Sequence, residues 1–312
     1  MSRFARASLL LLVGYLCIGS SQSTAAPVES TTVPFIYHDN RMLIQCRIDG
    51  QGPFWLIVDT GDSAFDITYE TAKAVGLATH PAGTVSGAGS GTPQVSAAKV
   101  KSLSIGTLVL HNMDAEVMDL SQIRAKFHFP HLDGAIGYPL MQRYVTYVNV
   151  DDGTITFAGS APVEPSTAST TKFDGVLPIV AGRIDGIPTT ILVDTGDRSS
   201  LTLFTPFAKR HAFYGKYPSQ SNIVTGYGVG GPIYADVFTL PSLDVFDTPL
   251  RDIVARAARP NSGVFSTQSL GGSIGTGVLK RFNVVYDYGH KTIAVWPSKY
   301  FTIADRFVPP GS

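Results

Sequence analysis

The sequence predicts an all-β protein of two lobes that arose by internal duplication, with only a few short helices. Three observations support this fold class. The chain is rich in glycine (31 residues) and proline (20 residues), which is typical of many short strands joined by turns. Hydrophobic residues make up 44% of the chain and charged residues 15%, a balance that indicates a globular protein. The strongest observation is that one set of sequence landmarks occurs twice in the same order.

The repeat begins with Arg-Ile-Asp-Gly and continues into an apolar strand that ends in Asp-Thr-Gly-Asp. Its first copy covers residues 47–62, and its second copy covers residues 183–197. An Ile-Gly element follows each copy, at residues 135–137 and again at residues 273–275. Because the landmarks recur in register, duplication explains them better than chance does.

Each copy closes with a predicted β-hairpin. The first hairpin covers residues 147–157 with a turn at 151–153, and the second covers residues 284–296 with a turn at 288–290. Most of the remaining sequence alternates between polar and apolar residues as strands do, for example at residues 99–105.

Two short helices are predicted among the strands. The first covers residues 68–75 and ends at Gly76. The second covers residues 206–211, where Pro206 lies in the first turn and Thr205 is positioned to cap the helix.

The chain is predicted to divide into four segments. Residues 1–26 have the pattern of a secretory signal, with basic residues before the apolar stretch 9–18 and small residues after it. That stretch is too short to span a bilayer comfortably, although an uncleaved membrane anchor is the alternative. An N-terminal lobe (27–160), a linker (161–172) and a C-terminal lobe (173–312) follow. We therefore expect an exported protein, periplasmic or secreted, with no stable membrane insertion after the signal is removed.

Composition argues against several other classes of partner. Basic and acidic residues number 24 each, so the chain offers no basic face for nucleic acid. Residues 226–231 match the dinucleotide fingerprint, but Pro232 and β-branched residues follow where a helix must begin, so no cofactor is expected. The histidines at 111, 128 and 131 lack the spacing of metal ligands, and no metal site is predicted. Removal of the signal leaves Cys46 as the single cysteine, so no internal disulfide is expected.

Each Asp-Thr-Gly follows a continuous apolar strand, at residues 56–58 and at residues 191–193. Such strands are buried on both sides, so they deliver Asp59 and Asp194 to a place where burial disfavours the charged carboxylate. Where two such loops meet, the carboxyl groups share a proton, and the pair can activate a water and polarise a carbonyl. Paired carboxylates also serve glycoside hydrolysis, but an acid and a nucleophile need unlike environments, which an identical half-site does not favour.

On these motifs the sequence resembles the pepsin and retropepsin superfamily of aspartic peptidases, over residues 42–297. More narrowly, it is similar to exported bacterial aspartyl proteases with two fused retropepsin-type lobes. The resemblance implies an aspartic endopeptidase with the two-lobed acid protease fold, in which Asp59 and Asp194 form the catalytic dyad. It also implies that an extended segment of a peptide or unfolded protein binds between the lobes, and that one chain acts as a monomer without dimerisation. The residues expected to support the catalytic loops are Thr60, Gly61, Thr195, Gly196, Ser63 and Ser199.

Members of this family cover the dyad with glycine-rich hairpin flaps. Residues 86–91 and 226–231 fit this role, since glycine permits both mobility and close approach to a peptide backbone; ordinary glycine-rich loops are the alternative. The predicted substrate-binding flap residues are Gly87, Ala88, Gly89, Tyr227, Gly228 and Val229.

The residue after each Asp-Thr-Gly departs from the family pattern. The family places Ser or Thr there to donate a hydrogen bond to the catalytic carboxylate, whereas this chain has Asp62 and Asp197. An ionised aspartate only accepts hydrogen bonds and adds repulsion beside the dyad. Three interpretations stay open. In the first, the side chains point outward, and Ser63 in the first copy and Ser199 or Ser200 in the second supply the hydroxyl. In the second, the aspartates are protonated and donate the hydrogen bond themselves. In the third, the site is weak or inactive, and the protein binds peptides or polymers.

Overall fold

The computed structural model describes residues 30–129, 131–162, 164–260 and 262–310. The predicted secretory signal at residues 1–26 lies outside the described residues. Within the described ranges, no helix is long and apolar enough to cross a membrane.

The secondary structure is mostly β, as the sequence predicts. The strands of the first half are β1 (Thr31–Pro34), β2 (Ile36–His38), β3 (Arg41–Ile48), β4 (Gln51–Val58), β5 (Phe65–Thr68), β6 (Thr79–Thr84), β7 (Gln94–Ile105), β8 (Leu108–Met118), β9 (Leu132–Ile136), β10 (Val145–Asn149) and β11 (Thr154–Ala158). Those of the second half are β12 (Ser169–Lys172), β13 (Ile179–Ile184), β14 (Ile187–Val193), β15 (Leu201–Leu203), β16 (Ser219–Gly228), β17 (Gly231–Val245), β18 (Thr248–Ala258), β19 (Gly272–Ile274), β20 (Phe282–Asp287) and β21 (Thr292–Pro297). The helices are α1 (Tyr69–Val75), α2 (Ser121–Lys126), α3 (Tyr138–Met141), α4 (Thr205–Arg210) and α5 (Thr276–Leu279), with a 3-10 turn at Gly263–Ser266.

Among the described residues, the strands form three sheets. The sheet of the first lobe has the order β2-β3-β4-β9-β5-β8-β7-β6, and that of the second lobe has the order β13-β14-β19-β15-β18-β17-β16. Apart from the additional β2, the two orders correspond strand for strand. The duplication seen in the sequence is therefore repeated in the topology, and the predicted two-lobed all-β fold is confirmed.

The third sheet joins the lobes and has the order β1-β11-β10-β20-β21-β12. Its centre is made of the two hairpins predicted at the ends of the repeats, because β10 of the first copy pairs with β20 of the second. Asn283 reinforces this junction: its buried side chain accepts a hydrogen bond from Val150 N (2.8 Å) and donates one to Asp151 Oδ2 (2.7 Å). The predicted linker is not wholly irregular, since β12 at its end pairs with β21.

One of the two predicted helices begins and ends as expected, and the other does not. Thr68 caps α1 by accepting a hydrogen bond from Thr71 N, and Gly76 ends the helix with a φ of 80°. Thr205, by contrast, does not cap α4 but is its first residue, and Phe204 occupies the N-cap position. The hydroxyl of Thr205 is buried and donates instead to the backbone carbonyls of Ala258, the last residue of β18, and of Pro260, so it is not available to the helix.

The Ile-Gly elements lie directly beside the strands that end in Asp-Thr-Gly. Strand β9 pairs in parallel with β4, and β19 pairs in parallel with β14. A Cβ at Gly137 would lie 2.3 Å from Asp59 O, and a Cβ at Gly275 would lie 2.3 Å from Asp197 O. Only glycine fits these positions without a shift of the backbone, which explains why the element recurs in both copies.

Candidate active site

The two Asp-Thr-Gly loops face each other between the lobes. A Cβ at Gly61 would lie 2.6 Å from Asp194 Cγ, and a Cβ at Gly196 would lie 2.4 Å from Asp59 Cγ. Each aspartate therefore contacts the glycine of the opposite loop, and the two carboxyl groups lie close enough to shift each other's pKa. Two carboxyl groups this close do not both ionise readily, which favours one shared proton.

Thr60 and Thr195 hold the loops together through reciprocal hydrogen bonds. Thr60 Oγ1 donates to Val193 O (2.7 Å), and Thr195 Oγ1 donates to Val58 O (2.6 Å). Each hydroxyl also accepts a hydrogen bond from the backbone N–H of the other threonine, at 2.9 and 3.0 Å. Both side chains are almost fully buried, so these bonds satisfy groups that water does not reach.

Backbone N–H groups, and not hydroxyls, donate to the aspartates. Gly61 N donates to Asp59 Oδ1 (2.8 Å), and Gly196 N donates to Asp194 Oδ1 (2.9 Å). In the second loop Asp197 N adds a further bond to Asp194 Oδ1 (3.0 Å). Among the described residues, no serine or threonine hydroxyl donates to either carboxyl.

The dyad lies where its carboxyls resist ionisation. Burial, and after it the charge of Asp62, raises the pKa of Asp59 to about 7, against the opposing effects of the Gly61 N–H and Asp194. Burial also raises the pKa of Asp194 well above its ordinary value, and the neighbouring Asp59 adds to this shift. Because the two groups interact strongly, they titrate as a pair.

Asp197 does not point outward, which corrects the first interpretation for the second lobe. It is buried and pairs with Arg256, whose Nη2 lies 2.9 Å from Asp197 Oδ1. Ser199 and Thr202 also donate to Asp197, at 2.7 and 2.6 Å, so the Ser199 hydroxyl serves Asp197 and not the dyad. Burial alone raises the pKa of Asp197, but Arg256 and the two hydroxyls outweigh it and lower the pKa to about 2. Asp197 is therefore ionised and cannot act as a donor.

The other serines proposed as donors do not donate to the dyad either. Ser63 is exposed, and within the described part of the chain its hydroxyl makes no hydrogen bond. Ser200 donates to Asp305 Oδ1 (2.8 Å). Asp62 accepts a bond from Ala64 N (2.8 Å), and burial raises its pKa. Neither hydroxyl supplies the dyad, and Asp62 differs from Asp197 in having no basic partner.

Sequence reasoning missed Arg41, a basic residue beside the dyad. Its Nε donates to Gly196 O (2.9 Å), and its Nη1 pairs with Asp39 (2.6 Å). Arg198 pairs with the same Asp39. The charge of Arg41 opposes the rise in the pKa of Asp59. No repeat or motif marks Arg41, because its role depends on contact between distant loops.

The two glycine-rich segments meet above the dyad. The first connects β6 to β7, and the second is the turn between β16 and β17. Gly89 N donates to Val229 O (2.8 Å), and Gly91 N donates to Gly230 O (2.9 Å). A Cβ at Gly89 would lie 2.2 Å from Gly230 C, so glycine is required for the tips to touch.

The remaining predicted flap residues lie around this contact. Gly87 faces Val229, and Ala88 lies under Gly228, where an added Cβ would be 2.7 Å from Ala88 Cβ. Tyr227 packs edge-on against Phe127, with ring centroids 6.4 Å apart. The predicted flap residues of both lobes are thus brought together.

The dyad and the flap tips line one cavity of about 370 Å³. Its walls come from both lobes, and they include Asp59 and Asp194 on one side and Ala88 and Val229 on the other. In the described ranges, no group of three or more His, Cys, Asp or Glu side chains is arranged to hold a metal ion.

Comparisons with known proteins agree with this geometry. A family model described as aspartyl protease matches residues 44–140. The aspartic proteinase from Irpex lacteus is similar in structure, with a TM-score of 0.58 and 15% sequence identity over 89% of this chain and 100% of that chain. The search of curated proteins found no match.

The structural likeness shows the fold, and the family model matches the part of the first lobe that contains the first Asp-Thr-Gly. Together they support the aspartic peptidase superfamily for this chain, as the sequence predicts. They also support a hydrolase of the aspartic peptidase type in general. The narrower resemblance to exported bacterial enzymes with two fused retropepsin-type lobes stays a prediction.

Replacing Arg256 with methionine tests the ion pair beside the dyad. The folded-state pKa of Asp197 is about 2, below its ordinary 3.8, so the pair stabilises the fold above about pH 4 and this contribution is lost as the pH falls towards 2. We expect Arg256→Met to lower the free energy of unfolding by about 3 kcal/mol at neutral pH, because Asp197 is left buried without a partner. The difference from wild type should narrow in acid, where Asp197 is protonated in the variant.

Urea unfolding followed by tryptophan fluorescence, at pH values from neutral to about 2, measures this difference. Lys99→Met is the control, because the Lys99–Asp114 pair is exposed and its loss should change stability little. A loss of stability in Arg256→Met that does not depend on pH would contradict the assignment.

Proposed function

We propose that the protein is an aspartic endopeptidase whose catalytic dyad is Asp59 and Asp194. One observation carries this proposal. Two carboxyl groups, each at the end of an equivalent buried strand, lie next to each other in a cavity under two meeting hairpin tips. The family model and the fold support aspartic peptidase activity in general.

The proposed reaction uses the single proton of the dyad. The ionised carboxylate takes a proton from a water molecule, whose oxygen attacks the carbonyl carbon of the peptide bond. The protonated carboxyl donates to the carbonyl oxygen and gives a tetrahedral diol. The first carboxyl then passes its proton to the amide nitrogen and the C–N bond breaks, while a hydroxyl of the diol returns its proton to the second carboxylate. An acid and an amine are released, and the pair is again singly protonated.

The substrate proposed for this site is an extended segment of a peptide or unfolded protein. The flap tips present backbone groups on glycine-rich hairpins, and such edges suit strand-like pairing with a peptide backbone. Because the tips touch through Gly89 and Val229, they have to separate before a peptide enters.

We further propose that the enzyme is exported, to the periplasm or as a secreted protein, and acts as a monomer. The pattern of residues 1–26 supports export. The monomer is supported by the origin of Asp59 and Asp194 in one chain.

Cleavage of an unfolded protein tests the proposed function. We expect the wild-type protein to cut it into peptides. Asp59→Asn and Asp194→Asn should each lower kcat/KM at least about a thousandfold, because an amide cannot share the proton that the reaction uses. Asp114→Asn, an exposed carboxylate on β8, is the control and should retain activity. Absence of cleavage at every pH tried, with peptide binding retained, would instead support the alternative of an inactive peptide- or polymer-binding protein.

The dependence of activity on pH provides a separate prediction. Burial and neighbouring charges raise the pKa of both carboxyls, that of Asp59 to about 7, so the pair reaches its singly protonated form at a higher pH than ordinary carboxyls would. We therefore expect the acid limb of the kcat/KM profile near neutrality, and not in the ordinary carboxyl range near pH 4. Asp62→Asn removes the charge that ranks second among the causes of this rise, so it should move the acid limb to lower pH. Full activity of the wild-type protein at pH 3 would contradict this account.

A further inference from the structure

The first-lobe wall of the catalytic cavity carries three carboxyl groups besides the dyad. They belong to Asp62, Asp66 and Glu116, and all three line the cavity. Asp66 on β5 and Glu116 on β8 are register partners in parallel strands, so their side chains emerge on the same face of the sheet. Among the described residues, none of the three forms an ion pair.

The equivalent place in the second lobe is neutralised from within the protein. The strand register shows which positions are equivalent. Asp66 pairs with Ala135 in the first lobe, and Thr202 pairs with Ser273 in the second lobe, so Asp66 and Thr202 correspond. Thr202 in turn has Arg256 as its register partner on β18.

Glu116 therefore occupies the position that Arg256 has in the other lobe. There, Arg256 pairs with Asp197 at 2.9 Å. In the first lobe the corresponding aspartate, Asp62, interacts with the carboxyl groups of Asp66 and Glu116, and within the described part of the chain it forms no ion pair.

Asp66 gives an independent sign that a partner is absent. Its side chain is 9% exposed, and its Oδ1 atom is buried with no hydrogen-bond partner. Leaving such a buried atom without a partner is unfavourable, because the atom has lost its hydrogen bonds to water. Burial, followed by the charge of Asp62, raises the pKa of Asp66 well above its ordinary value. A cation in the cavity would give the Oδ1 atom a partner and would lower the pKa of Asp66.

Apolar side chains make up much of the rest of this wall, which also contains Ser63, Ser86 and the guanidinium of Arg41, already paired with Asp39. Ile57, Met118, Leu120 and Leu132 line the same cavity from the first lobe. An apolar wall that ends in carboxylates matches a lysine or arginine side chain, which has an apolar stem and a charged tip.

We propose that Asp62, Asp66 and Glu116 form a subsite for a basic side chain of the substrate, next to the peptide bond that is cut. The substrate class is therefore peptides with lysine or arginine at one of the two residues that flank this bond. This inference rests on the proposed function, since it assigns a specificity to the same cavity.

Matched peptides test the subsite. The sequence cut best in the unfolded protein is synthesised with lysine, arginine or norleucine at each of the two flanking positions. Norleucine retains an apolar stem like that of lysine but has no charge. We expect kcat/KM to be at least about tenfold higher for lysine or arginine than for norleucine at one position, as for hydrogen bonds between charged groups.

Three variants assign that preference to the cluster. Glu116→Gln and Asp66→Asn keep the shape of each side chain and should reduce the preference to near unity, while cleavage of the norleucine peptide persists. Glu116→Arg copies the second lobe and should favour norleucine over lysine. Asp114→Asn, which removes an exposed charge on the same strand, is the control and should keep the preference. Glu116 is only partly buried, so its variants remain informative if Asp66→Asn fails to fold.

Binding separates failure of this inference from failure of the proposed function. The same peptides, carrying a fluorophore, are titrated with the Asp194→Asn variant by fluorescence anisotropy. Tighter binding of the lysine peptide without any cleavage by wild type would support the subsite and refute the peptidase. Cleavage with equal kcat/KM for lysine and norleucine, or a preference that survives in both Glu116→Gln and Asp66→Asn, would overturn the subsite.

Discussion

The reciprocal hydrogen bonds of Thr60 and Thr195 are the constraint on which the rest of the site depends. Each hydroxyl donates to the opposite loop and accepts from it, so neither loop can move without breaking buried bonds in the other. These hydrogen bonds hold Gly61 and Gly196 against the opposite aspartates, at separations that leave no room for a Cβ. Two carboxyl groups thus meet in a buried place, where sharing a proton is the favourable state.

The duplication produced two half-sites that are alike in their loops but different in their surroundings. In the second lobe Arg256 and two hydroxyls satisfy the aspartate that follows the motif and lower its pKa, while its charge still adds to the rise in the pKa of Asp194. In the first lobe the same position faces Asp66 and Glu116, and its charge raises the pKa of Asp59. A twofold scaffold therefore carries an asymmetric electrostatic field. In the subsite that we propose, this asymmetry lets one side of the cavity select a side chain while the other side supports the loops.

The sequence predicted those features that depend on local pattern or on repetition. The duplicated Asp-Thr-Gly, the Ile-Gly elements and helix α1 with its Gly76 end all have signals within a few residues. The partner of Asp197 could not be found in this way, because Arg256 is distant in sequence and adjacent only through the pairing of β15 with β18. For the same reason Ser199 looked like a donor to the dyad, although its hydroxyl serves Asp197. The prediction that Thr205 caps α4 was wrong because its hydroxyl hydrogen-bonds to backbone carbonyls that are distant in sequence.

Calorimetric titration with a statine-type peptide inhibitor tests most directly the claim that one chain completes a dyad with a shared proton. The hydroxyl of such an inhibitor takes the place of the attacking water, so its binding reports on both carboxyls at once. We predict one inhibitor per chain, with affinity reduced at least about a hundredfold in both Asp59→Asn and Asp194→Asn. One inhibitor per two chains, or binding that either variant leaves unchanged, would contradict a dyad formed by Asp59 and Asp194 within one molecule.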